Sequence, residues 1–404
     1  MRKFQNNIYD IIICGGGMTG AAMALCMANL KMKVAVIETS QPSKFLKDQP
    51  FDLRVSAVSP QTVTLLNSLG AWENILKMRC CPYRELRVWE KDGFGDVTFN
   101  ANQIDRAELG FIAENRVIQL ALWKQIKTKE YIDVYCPNVC ERFEYRANAI
   151  YVDLNDGTRI SGNLLIGADG AKSVVRTAFS IGSSQHKYNQ SCLVASVRAE
   201  TTKKDITWQR FLKTGPQAFL PLSKSHGSIV WYHNPNKINE LVQLSNNDLA
   251  SKIIKEFPRE LGEIKVTEKA SFPLHKSHAS KYVKPKLALV GDAAHTINPL
   301  AGQGVNLGFQ DVACLTEIIK AAQENGSDWS SQEVLMGYQT RRRFFNSIMM
   351  HSMDIFYYGF SNSFGPLKFA RNSILSLARL PAISEPIIRY AAGLDVGRSL
   401  GFPK

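Results

Sequence analysis

Apolar and polar positions fall in distinct blocks along this chain, and the first block is the clearest. Ile11–Cys14 is a short uninterrupted apolar run, the pattern of a strand buried on both faces. The turn Gly15-Gly16-Gly17 follows at once. Ala, Met and Leu then recur to Leu30, and a second apolar run, Val34–Ile37, stops at Glu38. The spacing predicts strand, helix and parallel strand within about thirty residues.

Further on, a polar link spans Gln41 to Asp52, and a helix is predicted from Ser59-Pro60 to Gly70, with proline in its first turn. "ENRVIQLALWKQI" (114–126) has the apolar spacing of another helix. A hairpin turning at Asn155-Asp156-Gly157 runs into a buried strand that ends in "GADGAKSVVR". From about 185 to 275 the pattern changes to alternating strands and polar turns, as in "SCLVASVRAE" and "GSIVWYH". Buried-strand character returns at "KLALVGDAAH", and the chain after residue 330 is helical, basic and aromatic. The expected class is α/β: a Rossmann-like domain with an inserted antiparallel β-sheet substrate domain and C-terminal helices. The expected boundaries are 1–184 for the nucleotide-binding domain, with strands near 80–112 contributing to the substrate sheet, 185–275 for the insertion, 276–330 for the return, and 331–404 for the helical region.

Length and composition narrow the picture. At 404 residues, with 45% hydrophobic and 21% charged, the chain has room for two or three domains and the composition of a globular protein. The net charge of +13 fits either plain solubility or attraction to an anionic surface. The basic residues are scattered and no zinc-finger, RRM or KH pattern occurs, so nucleic acid is not an expected partner. The eight cysteines form no CxxC pairs and sit mostly in apolar runs, as reduced buried thiols do; the vicinal Cys80-Cys81 reads as incidental. Arg2 and Lys3 precede an apolar stretch, but Asp10 and three glycines interrupt it, so no secretory signal or membrane span is expected. A reducing, cytoplasmic setting follows.

Chemistry enters with the glycines. Gly15-x-Gly17-x-x-Gly20 stands between a strand and a helix, with an acid at the end of the next strand, which is the full context of a dinucleotide site. Gly15 permits the turn, Gly17 lets a pyrophosphate approach the backbone, and Gly20 lets helix and strand pack closely. The helix N-terminus offers N–H groups to phosphate. Glu38 would accept from ribose hydroxyls and disfavour a 2′-phosphate, leaving FAD or NAD. Two further motifs complete the pattern. Asp169-Gly170 ends one buried strand, and Asp292 ends another in "GDAAHTINPLAGQGVNLGFQD".

Together these three motifs resemble the single-component FAD-dependent aromatic hydroxylases of the p-hydroxybenzoate hydroxylase fold, over nearly the whole chain. "RVSAVS", "ENRVIQLALW", "QAFLPL" and "MDIFYYGFSN" are similar to the ubiquinone-biosynthesis hydroxylases within that family, nearest the bacterial branch that acts on demethoxyubiquinol. The resemblance implies that Gly15, Gly17, Gly20 and Glu38 hold the ADP half of FAD. Arg54 lies in a loop over the cofactor, and Gln119 contacts the ribityl-phosphate region. Asp169 and Gly170 serve FAD and the reducing nicotinamide, while Arg176 holds their loop. Asp292 binds the ribityl chain, and Pro299, Gly302, Gln303, Gly304, Val305 and Asn306 pass along the isoalloxazine. The helix starting near Gly304 aims its positive end at the flavin edge where charge gathers on reduction.

The implied activity is monooxygenation. NAD(P)H or another donor reduces FAD, O2 adds as a flavin C4a-hydroperoxide, and the distal oxygen passes to a prenylated quinol ring. Alternatives within reach of the sequence are another ring position or phenolic substrate, or a flavin-binding scaffold of a biosynthetic complex that does not turn over. A halogenase is disfavoured because no WxWxIP stretch occurs. His295 reads as packing and hydrogen bonding rather than a proton carrier, no catalytic acid or base stands out, and no histidine falls at HxH or HExxH spacing, so no metal is expected. Trp208, Phe211, Phe219, Trp231 and Tyr232 could line a prenyl-quinone pocket or fill a sheet core. Arg341-Arg342-Arg343 and the aromatic face after it could meet a membrane at its inner face, meet other ubiquinone-biosynthesis proteins, or pack on the flavin domain.

Overall fold

The computed structural model describes residues 7–146, 149–199, 205–297, 304–361 and 364–394. Strand Asn7–Cys14 lies at the centre of the first sheet, parallel to Val34–Ile37 on one side and Arg159–Gly167 on the other. Ile132–Tyr135 extends the sheet beyond Val34–Ile37, and Leu287–Leu289 extends it beyond Arg159–Gly167, both parallel. Such a sheet must be covered on both faces, and Ile11, Ile12 and Ile13 are accordingly fully buried. Each contributes roughly 1.5–3 kcal/mol by leaving water. Helix Met18–Asn29 covers one face with an almost wholly buried run from Gly20 to Ala28 and packs against helices Asn115–Ile126 and Gly304–Glu324. The hairpin Ala149–Leu154 to Arg159–Gly167 adds an antiparallel edge.

A second eight-stranded sheet carries the other lobe. Its order is His295–Thr296, Ile264–Ala279, Ser183–Ala199, His226–His233, Gln217–Ser223, Ile206–Phe211, Glu85–Glu90 and Asp96–Asn100. All neighbours are antiparallel except Ile206–Phe211 with Glu85–Glu90, which run parallel because the latter arrives from a distant part of the chain. Ser183–Ala199 and Ile264–Ala279 are unusually long at 17 and 16 residues. They leave the first lobe side by side, with Ser183 opposite Ala279, and the register of their ladder shifts twice, between Lys187 and Ser191 and between Ser196 and Val197. Helices Pro235–Gln243 and Asn246–Glu256 cover the far face of this sheet. On the near face lie a small sheet (Val55–Val58, Gly110–Glu114, Cys81–Tyr83) and the C-terminal helices.

Those helices are Gln332–Phe360, Gly365–Leu377 and Pro381–Ala391. No helix among the described residues is long and apolar enough to cross a membrane. All eight cysteines are free thiols. Burial pushes Cys80 up to about 12 and Cys81 to about 11, so neither is a thiolate at neutral pH.

Candidate functional site

The glycine turn is built as its spacing demands. Gly15 sits at φ +102°, its N–H donating to the Ile37 carbonyl at 2.8 Å, and a Cβ there would strike the Ala168 carbonyl. A Cβ on Gly20 would collide with the Gly15 carbonyl oxygen. Gly17 differs, since nothing lies within 4 Å of where its Cβ would be. It is also the N-cap of helix Met18–Asn29, with no side chain capping it and no acid in the first turn. The N–H groups of that turn therefore face open space, as a phosphate site requires.

Two anchors hold the turn from behind. The Trp123 indole donates to the Gly16 carbonyl at 2.7 Å, and the Gln119 amide donates to the same oxygen at 3.0 Å. Gln119 thus shapes the turn through its nitrogen, and its Oε1 remains for a ligand. Glu38 closes the front. Its Oε2 accepts from the Gly16 N–H at 2.6 Å, and its Oε1 accepts from the Thr39 N–H and hydroxyl at 2.8 Å. Oε1 also accepts from the Ser40 N–H at 3.2 Å, whereas Oε2 has a single donor and keeps a lone pair for a ribose hydroxyl.

The second motif packs beside the first. Asp169 Oδ2 caps helix Val174–Ala178, accepting from Val174 N–H at 2.7 Å and Val175 N–H at 3.1 Å. Asp169 Oδ1 is buried with no partner, an orphaned acceptor beside the glycine turn. Gly170, at φ +79°, also has nothing within 4 Å of a would-be Cβ. Arg176 is buried and donates to the Ala171 carbonyl at 2.8 Å and the Ala293 carbonyl at 2.7 Å, tying this loop to the third motif.

Asp292 occupies a 3-10 turn just after strand Leu287–Leu289. Its side chain is accessible to solvent yet crowded by protein on most sides, the situation of a group lining a cleft. That crowding raises its carboxyl above the usual range, against the opposing charges of His295, His275 and Arg54. None of the described residues donates to its carboxylate. Arg54 reaches the same cleft from the loop before Val55–Val58, its guanidinium 5.6 Å from the Phe272 ring on the near face of the second sheet. The structure therefore brings Gly15, Gly17, Gly20, Glu38, Gln119, Asp169 and Gly170 together on one side, and Asp292 and Arg54 at the cleft. Pro299, Gly302 and Gln303 lie outside the described residues.

Gly304 opens the next helix, followed by Val305. Asn306 is spent on the protein. Its oxygen accepts from the Ser59 N–H at 3.0 Å and the Thr62 hydroxyl at 2.9 Å, and its amide donates to the Ala57 carbonyl at 2.8 Å. It fixes the helix start against strand Val55–Val58 and the first turn of helix Pro60–Ser68.

His295 belongs to a buried cluster. Its Nε2 meets Asp311 Oδ2 at 2.5 Å; Asp311 Oδ1 accepts from Arg342 Nε at 2.7 Å and Asn346 at 3.2 Å; the Gly291 N–H also donates to Oδ2. Burial alone would raise Asp311, but the charges of His295 and Arg342 outweigh it and hold the carboxyl near about 2. His278, bonded to Tyr282, is pushed down to about 4 by burial and then by the charges of His295 and Arg343. The sequence pattern left Asp311 unassigned and placed Arg342 only within the run Arg341–Arg343, for a surface or for packing on the flavin domain. Asp311 did carry a signal, as an acid standing in the apolar stripe Leu307, Cys314, Leu315. Of the arginine run, only Arg341 and Arg343 remain for a surface role; Arg342 turns inward, 3% exposed.

The sheet aromatics divide between two faces. Trp208, Phe219 and Trp231 pack on Phe257 and the helices of the far face, with Trp231 and Phe257 rings 5.2 Å apart. Phe211 stacks on Phe360 at 4.0 Å, and Tyr232 packs with Tyr188 and Leu274. All five are buried, because alternation along each strand sends neighbours to opposite, covered faces; Trp208 and Phe219 also line a cavity beside Trp89 and Pro258, and Phe211 lines a small one beside Phe356.

A family model described as an FAD binding domain matches residues 8–352. The chain is 42% identical over 390 residues to 3-demethoxyubiquinol 3-hydroxylase of Escherichia coli (strain K12), covering 96% of this chain and 100% of that protein. It is 33% identical over 435 residues to the mitochondrial ubiquinone biosynthesis monooxygenase COQ6 of Xenopus tropicalis, covering 95% and 93%. Among solved structures, p-nitrophenol 4-monooxygenase PnpA from Pseudomonas putida DLL-E4 superposes with a TM-score of 0.78 at 17% identity, covering 98% and 100%. At that identity it shows the shared fold.

Proposed function

We propose that this chain, which belongs to the FAD-dependent aromatic hydroxylases and is a flavoprotein monooxygenase, hydroxylates a prenylated quinol in ubiquinone biosynthesis, as a 3-demethoxyubiquinol 3-hydroxylase. The observation that carries the substrate is the end-to-end match to the Escherichia coli protein of that name. The site fits the cofactor on its own terms: an orphaned Asp169 Oδ1, and two glycines, Gly17 and Gly170, whose backbone faces open space.

Bound FAD would supply the activation of dioxygen. The glycine turn and the first helical turn would hold its pyrophosphate, Glu38 its ribose, and Asp292 its ribityl hydroxyls. Arg54 spans the cleft beside Asp292 and orients what lies between. The reaction balances as quinol C–H, O2, NAD(P)H and a proton giving C–OH, water and NAD(P)+. No protein base is required at the ring, since the quinol oxygens themselves push electrons to the carbon attacked, and His295 is already committed to Asp311. The enzyme works on the cytoplasmic side of the membrane that holds such quinols.

Purified holoenzyme given NAD(P)H, O2 and a short-chain demethoxyubiquinol is expected to form one hydroxylated product per NAD(P)H, read by mass and ring position. Oxygen consumption with only hydrogen peroxide formed sinks the substrate assignment, and hydroxylation at another carbon moves it along the ring. Asp292→Asn keeps the shape but removes the charge. FAD affinity is expected to fall by roughly tenfold or more, the worth of a charge-assisted hydrogen bond. Apo stability at neutral pH should hold or rise, because a carboxyl raised by crowding favours the fold only while protonated and loses that contribution as pH climbs. Flavin-fluorescence titration and apo melting check the two halves.

A further inference from the structure

The last two helices carry an apolar stripe on the side where solvent should be. On Gly365–Leu377 the buried positions are Arg371, Asn372 and Leu375, yet Ile374 and Leu377 on the outside are 67% and 52% exposed. Leu367, Ile374 and Leu377 recur at helical spacing, and Leu380, Ile383 and Ile387 continue the row onto the next helix, all exposed. A surface helix ordinarily turns polar residues outward. A contiguous apolar row of this kind marks an interaction face.

Two observations select the occupant. Of the four basic residues in 364–394, Arg371 is buried against Glu90 and Arg389 pairs with Glu385, which leaves Lys368 and Arg379, each bonded to a backbone carbonyl, as the positive charges of this segment on a chain of net charge +13. Beneath helix Pro381–Ala391 lies a largely apolar cavity of about 70 Å³, walled inside by Ala57, Ser59, Phe99 and Asn306 and outside by Ile387. Its inner wall includes Asn306, which anchors the start of helix Gly304–Glu324, and its outer wall includes Ile387 of the exposed row. An exposed apolar row flanked by Lys368 and Arg379 fits an anionic lipid surface better than a folded protein partner.

We propose that the helix pair 365–391 is the face by which this protein rests on an anionic lipid bilayer, lying on it rather than crossing it. Its rationale rests on the proposed quinol substrate, whose isoprenoid tail would stay in lipid, but its test needs no substrate. FAD-loaded protein is floated with vesicles of phosphatidylcholine alone and of equal phosphatidylcholine and phosphatidylglycerol. Binding to the anionic vesicles is expected, weaker to neutral ones and weaker at high salt. The triple variant Ile374→Ser, Leu377→Ser, Ile383→Ser should lose at least tenfold in bound fraction while keeping its melting temperature and its turnover of a short-chain, water-soluble quinol. Absence of binding by the parent protein overturns the proposal, as does equal binding by the variant. A dimer of the parent in sedimentation velocity that the same variant dissolves would assign the face to a second copy instead. Failure to hydroxylate the soluble quinol would count against the substrate reading and leave vesicle binding to be judged alone.

Discussion

Gly20→Ala is expected to strip the protein of FAD and to lower its stability as well, whereas Gly17→Ala is expected to do only the first. The difference lies in what each added methyl group meets. At Gly20 it meets the Gly15 carbonyl, so helix Met18–Asn29 must lift from the central strand, against a core with no slack. Overpacking of this kind costs roughly 1–3 kcal/mol, occasionally more, and the displaced turn no longer aims its amides. At Gly17 the methyl group meets nothing of the protein, and would enter the space proposed for the pyrophosphate. Loss of one charge-assisted amide contact is worth about 1.5–3 kcal/mol, about ten- to a hundredfold in Kd. Bound flavin per protein, read by absorbance, should be low in both variants, and melting of the apo forms should separate them. Equal apo stability of the two would show that the helix–strand contact is softer than the packing implies.

Arg342→Met is the second large effect. Asp311 is fully buried, and without Arg342 its charge is left to His295 and two neutral donors. Breaking a buried pair from one side costs about 3–5 kcal/mol, which urea unfolding should read directly. Adding Asp311→Asn removes the stranded charge and should restore a good part of the loss; a double variant no better than the single would refute the pairing. The pH dependence has a definite sign. A carboxyl held at about 2 in the fold, against 3.8 ordinarily, contributes its stabilisation fully above the ordinary value and loses it as pH falls toward 2. The shift corresponds to about 2 kcal/mol, and in Arg342→Met that acid-labile share should shrink.

The contrast between these two sites explains what was legible beforehand. The glycine turn, its helix and Glu38 are held in part by Trp123, Gln119 and Ala168 from over a hundred residues away, yet each leaves a local mark: an interrupted apolar run, a spacing of glycines, an acid at a strand end. The Asp169 and Asp292 loops carry the same marks. The Asp311 cluster joins a helix to residues 16 positions before it and 31 after it, and no local pattern names the partners. Strand faces were equally silent. Ile206–Phe211 is buried at every position, so no polar alternation says which aromatic turns to the cleft and which to the outer helices. The parallel docking of Glu85–Glu90 beside Ile206–Phe211 likewise depends on a pairing more than a hundred residues away in the chain.

The paired strands Ser183–Ala199 and Ile264–Ala279 have a mechanical consequence. Seventeen extended residues reach on the order of 55 Å, so the two form a stiff beam that carries one lobe from the other. A beam with a continuous ladder resists bending in its own plane; this one loses its cross-links between Lys187 and Ser191. The register changes across that break and again between Ser196 and Val197, so a bending load on the two lobes would fall on these joints, as on the weak points of a leaf spring.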